Sequence, residues 1–163
     1  MLQKALDLVH LDFAPDHEQP AAGRLLLATV VSIVGSLLAD ALCVVIAQAV
    51  FPSTKGYAHF QFADYSKLTI IGVIIACVAW PITTRITSQP RWMFFRMAIL
   101  VTLVLWLPDV YILVVQKQPG DAVGFLFLMH LAIALVTYNA LVHLSPVRAR
   151  RQASSHRTQP VGH

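Results

Sequence analysis

The feature of this chain that most constrains its fold is a set of four long apolar runs, which occupy most of its 163 residues. The runs extend over Leu25–Val50, Leu68–Thr84, Met97–Val115 and Ala122–Leu144. A helix that crosses a bilayer needs about 20 mainly apolar residues. Charged residues make up only 12% of the chain, against roughly 25% in a soluble domain. The sequence therefore predicts an all-α membrane protein, built as a bundle of four transmembrane helices.

Three segments follow from this pattern. Residues 1–23 form a polar N-terminal arm, residues 24–145 form the four-span membrane domain, and residues 146–163 form a polar tail. The tail contains Ser, Gln and Pro and has few apolar residues, a composition typical of disorder. No segment outside the spans is long enough to enclose a hydrophobic core of its own. We therefore expect a single membrane domain with two short cytoplasmic extensions.

The basic residues predict the orientation of the chain in the membrane. Of the 12 lysines and arginines, nine fall in the N-terminal residues up to Arg24, the segment 85–96 and the tail, and three fall in the other connections. The nine are Lys4, Arg24, Arg85, Arg91, Arg96, Arg148, Arg150, Arg151 and Arg157, and the three are Lys55, Lys67 and Lys117. Positive residues accumulate on the cytoplasmic side of membrane proteins. We expect both termini in the cytoplasm and a location in the bacterial plasma membrane.

The formal net charge of +4 does not indicate nucleic acid, because the basic residues lie at span ends. Arg91, Arg96, Arg148, Arg150 and Arg151 are placed to contact lipid headgroups on the cytoplasmic side. Attraction to anionic lipid contributes about 1 kcal/mol for each basic residue near the surface. The predicted partners are therefore the lipid bilayer and another membrane protein or a second copy of this chain, and not nucleic acid.

Two alternatives concern the first two spans. Arg24 precedes an apolar run, and Ala47-Gln48-Ala49 resembles a signal-peptide cleavage site. Asp40 interrupts that run, which also exceeds the about 7–15 apolar residues of a signal peptide, so we expect a retained span. Cys43 and Cys77 fall inside the first and second spans. Buried cysteines act mainly as small apolar residues, and the alternative is a redox pair between these helices.

Three ionisable residues lie inside the predicted spans, where each costs about 2.5–3.5 kcal/mol at the bilayer centre. They are Asp40, Asp109 and His130. A helical rise of about 1.5 Å per residue places them about 15, 9 and 12 Å from the outer ends of their spans. All three therefore belong to the outer half of the bundle. A tight turn at 118–121 joins the last two spans, so Asp109 and His130 can face each other.

Proline and small residues refine the helix geometry around this group. Pro108 cannot donate a hydrogen bond to the carbonyl of Val104, so we expect a kink before Asp109. The first span carries a small, partly polar stripe, and the second carries the small pair Gly72 and Ala76, which favours close helix packing. The stripe consists of Ser32, Ser36, Asp40, Cys43 and Ala47.

The intramembrane group has two interpretations. It is either a site for a proton, a cation or a polar headgroup, or a structural hydrogen-bond network that fixes helix register. Two carboxylates and one imidazole are possible metal ligands, but no ligand pair occurs at a spacing of three or four residues, and we predict no metal. Catalytic motifs such as G-x-S-x-G, H-E-x-x-H or a phosphate-binding loop are absent from the sequence. We predict no catalytic residue and no cofactor.

Four short motifs carry a resemblance to a known family. They are Ala79-Trp80, Arg91-Trp92, Leu105-Trp106-Leu107-Pro108-Asp109 and Leu128-Met129-His130-Leu131. The chain resembles, over roughly Leu25–Leu144, an actinobacterial family of small four-helix membrane proteins known only as a domain of unknown function. The resemblance implies four spans and adds weight to His130, but it implies no activity. Asp40, the aromatic outer loop and the N-terminal arm depart from the family pattern, so nothing is carried over to them.

Three functions remain as hypotheses. A non-enzymatic accessory or assembly partner of a larger membrane complex fits the small size and the absence of catalytic motifs. An oligomeric carrier coupled to protons or a small ligand would use the Asp40, Asp109 and His130 group. A lipid- or quinone-handling membrane enzyme is the third. Copurification with a larger protein, transport in liposomes and turnover of a lipid or quinone would tell these apart.

Overall fold

The fold is a bundle of four long α helices. The computed structural model describes residue 11 and residues 17–149, and within this part of the chain four helices are long and apolar enough to cross a membrane. Their bounds are Ala22–Val50 for α1, Phe62–Ile86 for α2, Pro90–Val114 for α3 and Gly120–Leu144 for α4. The predicted all-α, four-helix architecture is confirmed, and the chain is a multi-pass membrane protein.

All four helices begin earlier than the apolar runs that predict them, and the difference is largest for α2 and α3. Helix α2 begins at Phe62 instead of Leu68, and α3 begins at Pro90 instead of Met97. Asp64 lies in the first turn of α2, where a carboxylate interacts favourably with the helix dipole. Proline at the first position of α3 has the φ angle of a helix and no N–H to leave unpaired. The polar ends of these helices therefore extend beyond the segments that hydropathy marks.

Successive helices run antiparallel, and α1 and α4 form the central pair. Helix α1 packs most extensively on α4, while α2 packs on α1 and α3 packs on α4. A Cβ atom added at Gly35 would lie 2.9 Å from Val136 Cγ1, so any larger residue would displace the Val136 side chain or move α1 away from α4. Helix α3 is peripheral, and its buried residues are Pro90, Phe94, Thr102 and Asp109. It runs unbroken through Pro108, and the kink there stays a prediction.

The small-residue stripe on α1 is buried as predicted, and Ala76 on α2 packs against the core, but Gly72 makes no close helix contact. Nothing lies within 4 Å of a Cβ built at Gly72. The buried face of α2 instead runs through Val73, Cys77 and Trp80, one position further along the chain. The prediction for Gly72 is therefore wrong, because one residue corresponds to a rotation of about 100° around the helix.

The core consists of two clusters, one toward each end of the bundle. We call the end with residues 51–61 and 115–119 the loop end, and the opposite end the terminal end. The loop-end cluster comprises Cys43, Val44, Ala47, Phe60, Tyr65, Ala122, Leu126 and Met129. The terminal-end cluster comprises Ala28, Val73, Cys77, Trp80, Phe94, Leu141 and Val142. Both cysteines are free and lie in different clusters, so the alternative of a redox pair between them is wrong.

A short ribbon joins the two ends of the described chain. His17–Glu18 pairs antiparallel with Arg148–Ala149 at the terminal end. The His17 Nε2 atom lies 2.6 Å from the carbonyl oxygen of Thr84, which fixes the ribbon to the end of α2. The sequence predicts disorder from residue 146, and the strand after α4 differs from that expectation. The remainder of the tail, with the predicted headgroup contacts Arg150 and Arg151, lies outside the described residues.

Candidate functional site: an intramembrane Asp–His cluster

Helices α3 and α4 bring Asp109 and His130 together near the loop end. The His130 Nδ1 atom lies 3.1 Å from the Asp109 Oδ2 atom, and the side chains are 26% and 6% exposed. Asp109 is one of the few buried residues of α3, so this contact is a principal polar link between that helix and the bundle. Asp40, on α1, also interacts electrostatically with His130. Three helices thus contribute one ionisable residue each.

The hydrogen-bond geometry of His130 assigns roles to its two ring nitrogens. Nδ1 lies 2.9 Å from the Leu126 carbonyl oxygen, one helical turn earlier. Because two acceptor oxygens flank Nδ1, its hydrogen belongs on that atom and is donated to Leu126. The contact with Asp109 is then ionic, and Asp109 Oδ2 accepts no aligned hydrogen bond. The atom of His130 that gains or loses a proton is therefore Nε2.

Asp40 is the most enclosed of the three residues, with no exposed surface. Its Oδ2 atom accepts a hydrogen bond of 2.6 Å from the Thr69 hydroxyl on α2. Its Oδ1 atom is buried and has no hydrogen-bond partner. A buried polar atom without a partner costs about 1–3 kcal/mol, and more when it is charged. Asp40 therefore has one satisfied oxygen and one that is available to a proton or a ligand.

The helix faces explain why these residues meet. Asp40 lies one helical turn after Ser36 on the buried stripe of α1. The hydroxyl of Ser36 lies 3.4 Å from the Thr137 hydroxyl of α4. Thr69 lies on the buried face of α2 between Tyr65 and Val73. Residues four positions apart share one side of a helix. The polar group is therefore built into the same faces that hold the bundle together.

Sequence reasoning missed Tyr57, which lies in the connection between α1 and α2. Aromatic residues in a loop beside a membrane commonly lie at the interface. Instead, Tyr57 packs against the loop-end cluster, and its hydroxyl is buried without a hydrogen-bond partner. Burial, together with the negative charge of Asp109, raises the pKa of Tyr57. The only sequence signal is the preceding Gly56, which has a positive φ of 81° and marks a sharp turn.

The charges of the cluster do not balance. Among the described residues the ion pairs are His130–Asp109 and His59–Asp64, so no described Lys or Arg neutralises an intramembrane carboxylate. With both carboxylates ionised, the group is negative even when His130 is protonated. The cluster can therefore accept one further positive charge.

The described residues do not form a multidentate site for a tightly coordinated metal ion. Within residues 17–149 no group of three or more His, Cys, Asp or Glu side chains is arranged to hold one. The chemistry left to the cluster is proton exchange and electrostatic attraction of a small monovalent cation to the carboxylate oxygens. The remaining predicted positions lie at the terminal end, where Arg91, Arg96 and Arg148 are exposed. The Arg96 guanidinium stacks 3.5 Å over the Trp92 ring.

No protein-family model matches this chain, and no curated protein or solved structure is similar to it. Functional conclusions therefore depend on the chemistry of the Asp–His cluster and on the surfaces of the bundle.

Proposed function

We propose that this protein is a non-enzymatic membrane carrier that binds a proton or a small monovalent cation at Asp40, Asp109 and His130. The observation that carries the proposal is the Asp40 carboxylate, which is fully buried and has one oxygen without a partner. An uncompensated charge inside a bilayer costs about 2.5–3.5 kcal/mol or more. Binding one positive charge removes this cost, and release restores it, which is the property that a carrier needs.

Each of the three residues would have a distinct role in binding the positive charge. His130 exchanges a proton at Nε2, while its Nδ1–H stays on the Leu126 carbonyl. Asp109 stabilises the imidazolium form across the 3.1 Å contact. Asp40 supplies the second carboxylate, held by Thr69, so that the bound charge is distributed between α1 and the α3–α4 pair.

Transport in liposomes tests this proposal. Purified protein is reconstituted with an internal pH indicator, and proton flux is measured after an imposed pH gradient. We expect flux from wild type and its loss from Asp40→Asn and Asp109→Asn. The matched control is Asp64→Asn, which removes the carboxylate of the exposed pair. A parallel sodium gradient at equal pH separates an alkali cation from a proton. The proposal fails if wild-type liposomes behave like protein-free ones in both arms.

We further propose that the loop end faces outward and that both termini lie in the cytoplasm of a bacterial cell, in its plasma membrane. The uneven distribution of basic residues supports this orientation, and Arg91, Arg96 and Arg148 lie exposed at the terminal end. We expect these residues, and Arg150 and Arg151 beyond them, to contact headgroups. Reporter fusions after His163 and after Tyr57 should report the inside and the outside respectively.

A second candidate is an accessory or assembly partner of a larger membrane complex. Helix α3 favours it, because most of its surface faces away from the bundle and includes exposed Leu100, Leu103 and Leu107. A groove of about 310 Å³ between α3 and α4 lies on the same side. Purification in mild detergent should then yield a larger protein at fixed ratio. Membership of the actinobacterial four-helix family is likewise a proposal, and it assigns no activity.

A further inference from the structure

Helices α3 and α4 form a long groove between them on the outside of the bundle. Its volume is about 310 Å³, and its walls are residues 95–106 of α3 and residues 131–138 of α4. The α3 wall rises by about 16 Å along the helix axis. The Thr102 hydroxyl on this wall donates to the Ala98 carbonyl of its own helix over 2.8 Å, so its hydrogen is not free. The groove therefore presents a hydrocarbon surface.

The groove is open to the surrounding lipid, because Leu103 and Leu135 on its two walls are exposed. A helix with its side chains is about 10–12 Å across, so a length of about 16 Å occupies more than about 1,000 Å³. A volume of about 310 Å³ is too small for this, and a partner helix would lie across the groove without filling it. A single hydrocarbon chain is narrow enough to enter, and it gains dispersion contacts with both helices.

Two arginines lie where the groove opens toward the terminal end. Arg91 precedes Phe95 by four residues, and Arg96 precedes Ile99 by three. Positions three or four apart share one side of a helix, so each arginine continues one row of groove residues. The Arg96 guanidinium stacks 3.5 Å over the Trp92 ring, one turn back toward the terminal end. Neither arginine forms an ion pair within the described part of the chain, so two positive charges lie here without an acidic partner.

A second cavity adjoins Arg91 at the terminal end. It also measures about 310 Å³, and Ser88, Gln89 and Trp92 contribute to its lining. Ser88 and Gln89 carry a hydroxyl and an amide that can donate hydrogen bonds, and the planar fork of Arg91 matches the oxygens of a phosphate. A positively charged cavity and an apolar groove thus follow each other along α3, one helical turn apart. This sequence of polarity is that of a phospholipid.

We propose that this face of α3 binds one anionic phospholipid, with an acyl chain in the α3–α4 groove and the phosphate against Arg91 and Arg96. The negative headgroup complements the two unpaired charges, and the chain covers an apolar surface that a helix does not fill. The site is separate from the Asp–His cluster and does not depend on the carrier proposal. Because α3 buries few residues of its own, a chain that contacts both helices should also hold α3 on α4.

Lipid titration followed by native mass spectrometry tests the headgroup contacts. Purified protein in detergent is titrated with dioleoyl phosphatidylglycerol and, in parallel, with dioleoyl phosphatidylcholine, which has the same chains and no net charge. We expect wild type to bind one phosphatidylglycerol in preference to phosphatidylcholine. Arg91→Gln should weaken the binding of phosphatidylglycerol about fivefold, and the double variant with Arg96→Gln about thirtyfold. Arg85→Gln, at an exposed position at the end of α2, is the matched control and should leave the affinity unchanged.

The groove is tested by filling it from either wall. Ala134→Phe on α4 and Ala98→Phe on α3 each place a ring where the chain would lie. Both should weaken the binding of either lipid by at least about tenfold, because exclusion of only two methylenes costs that much. Val104→Phe adds the same bulk at an exposed position of α3 outside the groove, and it should bind like wild type. Circular dichroism of the lipid-free variants identifies any that fail to fold.

Unchanged phosphatidylglycerol binding in a folded groove-filling variant would overturn the proposal, since no chain would then enter the groove. Equal affinity of wild type for the two lipids would overturn it as well, because the arginines would then not recognise the anionic headgroup. Inorganic phosphate added at the same concentration should not displace the lipid. Displacement would mean that the arginines bind a free anion and that the chain contributes nothing. The carrier proposal is judged separately, by proton flux in Asp40→Asn and Asp109→Asn.

Discussion

Two Asp–His pairs in this molecule have nearly the same N···O separation and very different surroundings, and only the first is also an aligned hydrogen bond. His59 Nδ1 lies 3.0 Å from Asp64 Oδ2, with side chains 44% and 50% exposed. His130 Nδ1 lies 3.1 Å from Asp109 Oδ2, with side chains 26% and 6% exposed. The first pair joins a loop to the start of α2, and the second joins two helices. The distance alone therefore does not determine how strongly each pair stabilises the protein. Solvent screens the first pair, whereas the bilayer and the protein surround the second.

The largest difference should appear when the carboxylates are removed. Asp109→Leu leaves His130 without its acidic partner, and we expect a loss of about 3 kcal/mol in unfolding free energy. Asp109→Asn should cost less, because the amide still forms hydrogen bonds. Asp64→Leu is the control and should cost at most about 1 kcal/mol. Denaturation of the protein in detergent measures all three. Equal stability of the Asn and Leu variants at position 109 would contradict a polar network there.

A smaller effect is expected from the second carboxylate of the cluster. Thr69→Val removes the hydroxyl that donates to Asp40 over 2.6 Å, and it should cost about 1–3 kcal/mol. The matched control is Thr102→Val on α3, whose hydroxyl donates to the Ala98 carbonyl of its own helix. That carbonyl keeps its helical hydrogen bond, so the control should cost much less. A Thr69 variant no less stable than the Thr102 variant would show that Asp40 does not need its donor.

High salt should weaken the exposed Asp–His pair and leave the intramembrane pair unchanged. At low ionic strength Asp64→Asn should change stability by up to about 1 kcal/mol. At 1 M salt, where the Debye length is about 3 Å, that difference should disappear. The cost of Asp109→Asn should stay the same in both conditions, since ions do not enter the bundle. A salt-sensitive Asp109→Asn would place the cluster in contact with solvent.

The smallest expected effect concerns alkaline pH. Burial raises the pKa of Tyr57, and the Asp109 charge adds to the shift. A group whose pKa is raised by folding stabilises the protein below its unfolded value, near 10, and this contribution disappears as the pH rises through the folded value. Stability should therefore fall less above about pH 10 in Tyr57→Phe than in wild type. Ultraviolet titration should show a late-ionising tyrosine that is absent from Tyr57→Phe, and Asp109→Asn should make it ionise earlier. Identical titration curves in wild type and Asp109→Asn would show that Asp109 does not affect the ionisation of Tyr57.

The sequence predicts the helices well because lipid solvation depends on composition. It also predicts the buried stripe of α1, since Ser32, Ser36 and Asp40 are otherwise costly in a bilayer. The sequence does not predict which face of α2 turns toward the bundle. The helix is apolar on all sides, so no face of it is kept away from lipid by polar side chains. The choice of Val73 over Gly72 depends on shape complementarity with α1.

The position of the loop between α1 and α2 was likewise not predictable from the sequence. An aromatic residue next to a membrane can lie at the interface or fold over the bundle, and both positions suit its chemistry. The inward position of Tyr57 depends on a turn closed by Thr54 and Gly56, which the composition of the loop does not specify. The partner of Asp40 was also unpredictable, because several hydroxyls on α2 lie within a few turns of Thr69.

The pairing of α1 with α4 has a consequence for biosynthesis. Of the four long helices, α1 is made first and finds its main partner in α4, so α1 must wait until the segment up to Leu144 has been made. At usual elongation rates this delay is on the order of 5–20 s. Asp40 meanwhile would lie in the translocon or the lipid without its final surroundings. Thr69 is made soon after Asp40 and can donate a hydrogen bond to it early. Helix α2 would therefore stabilise α1 before α4 is available.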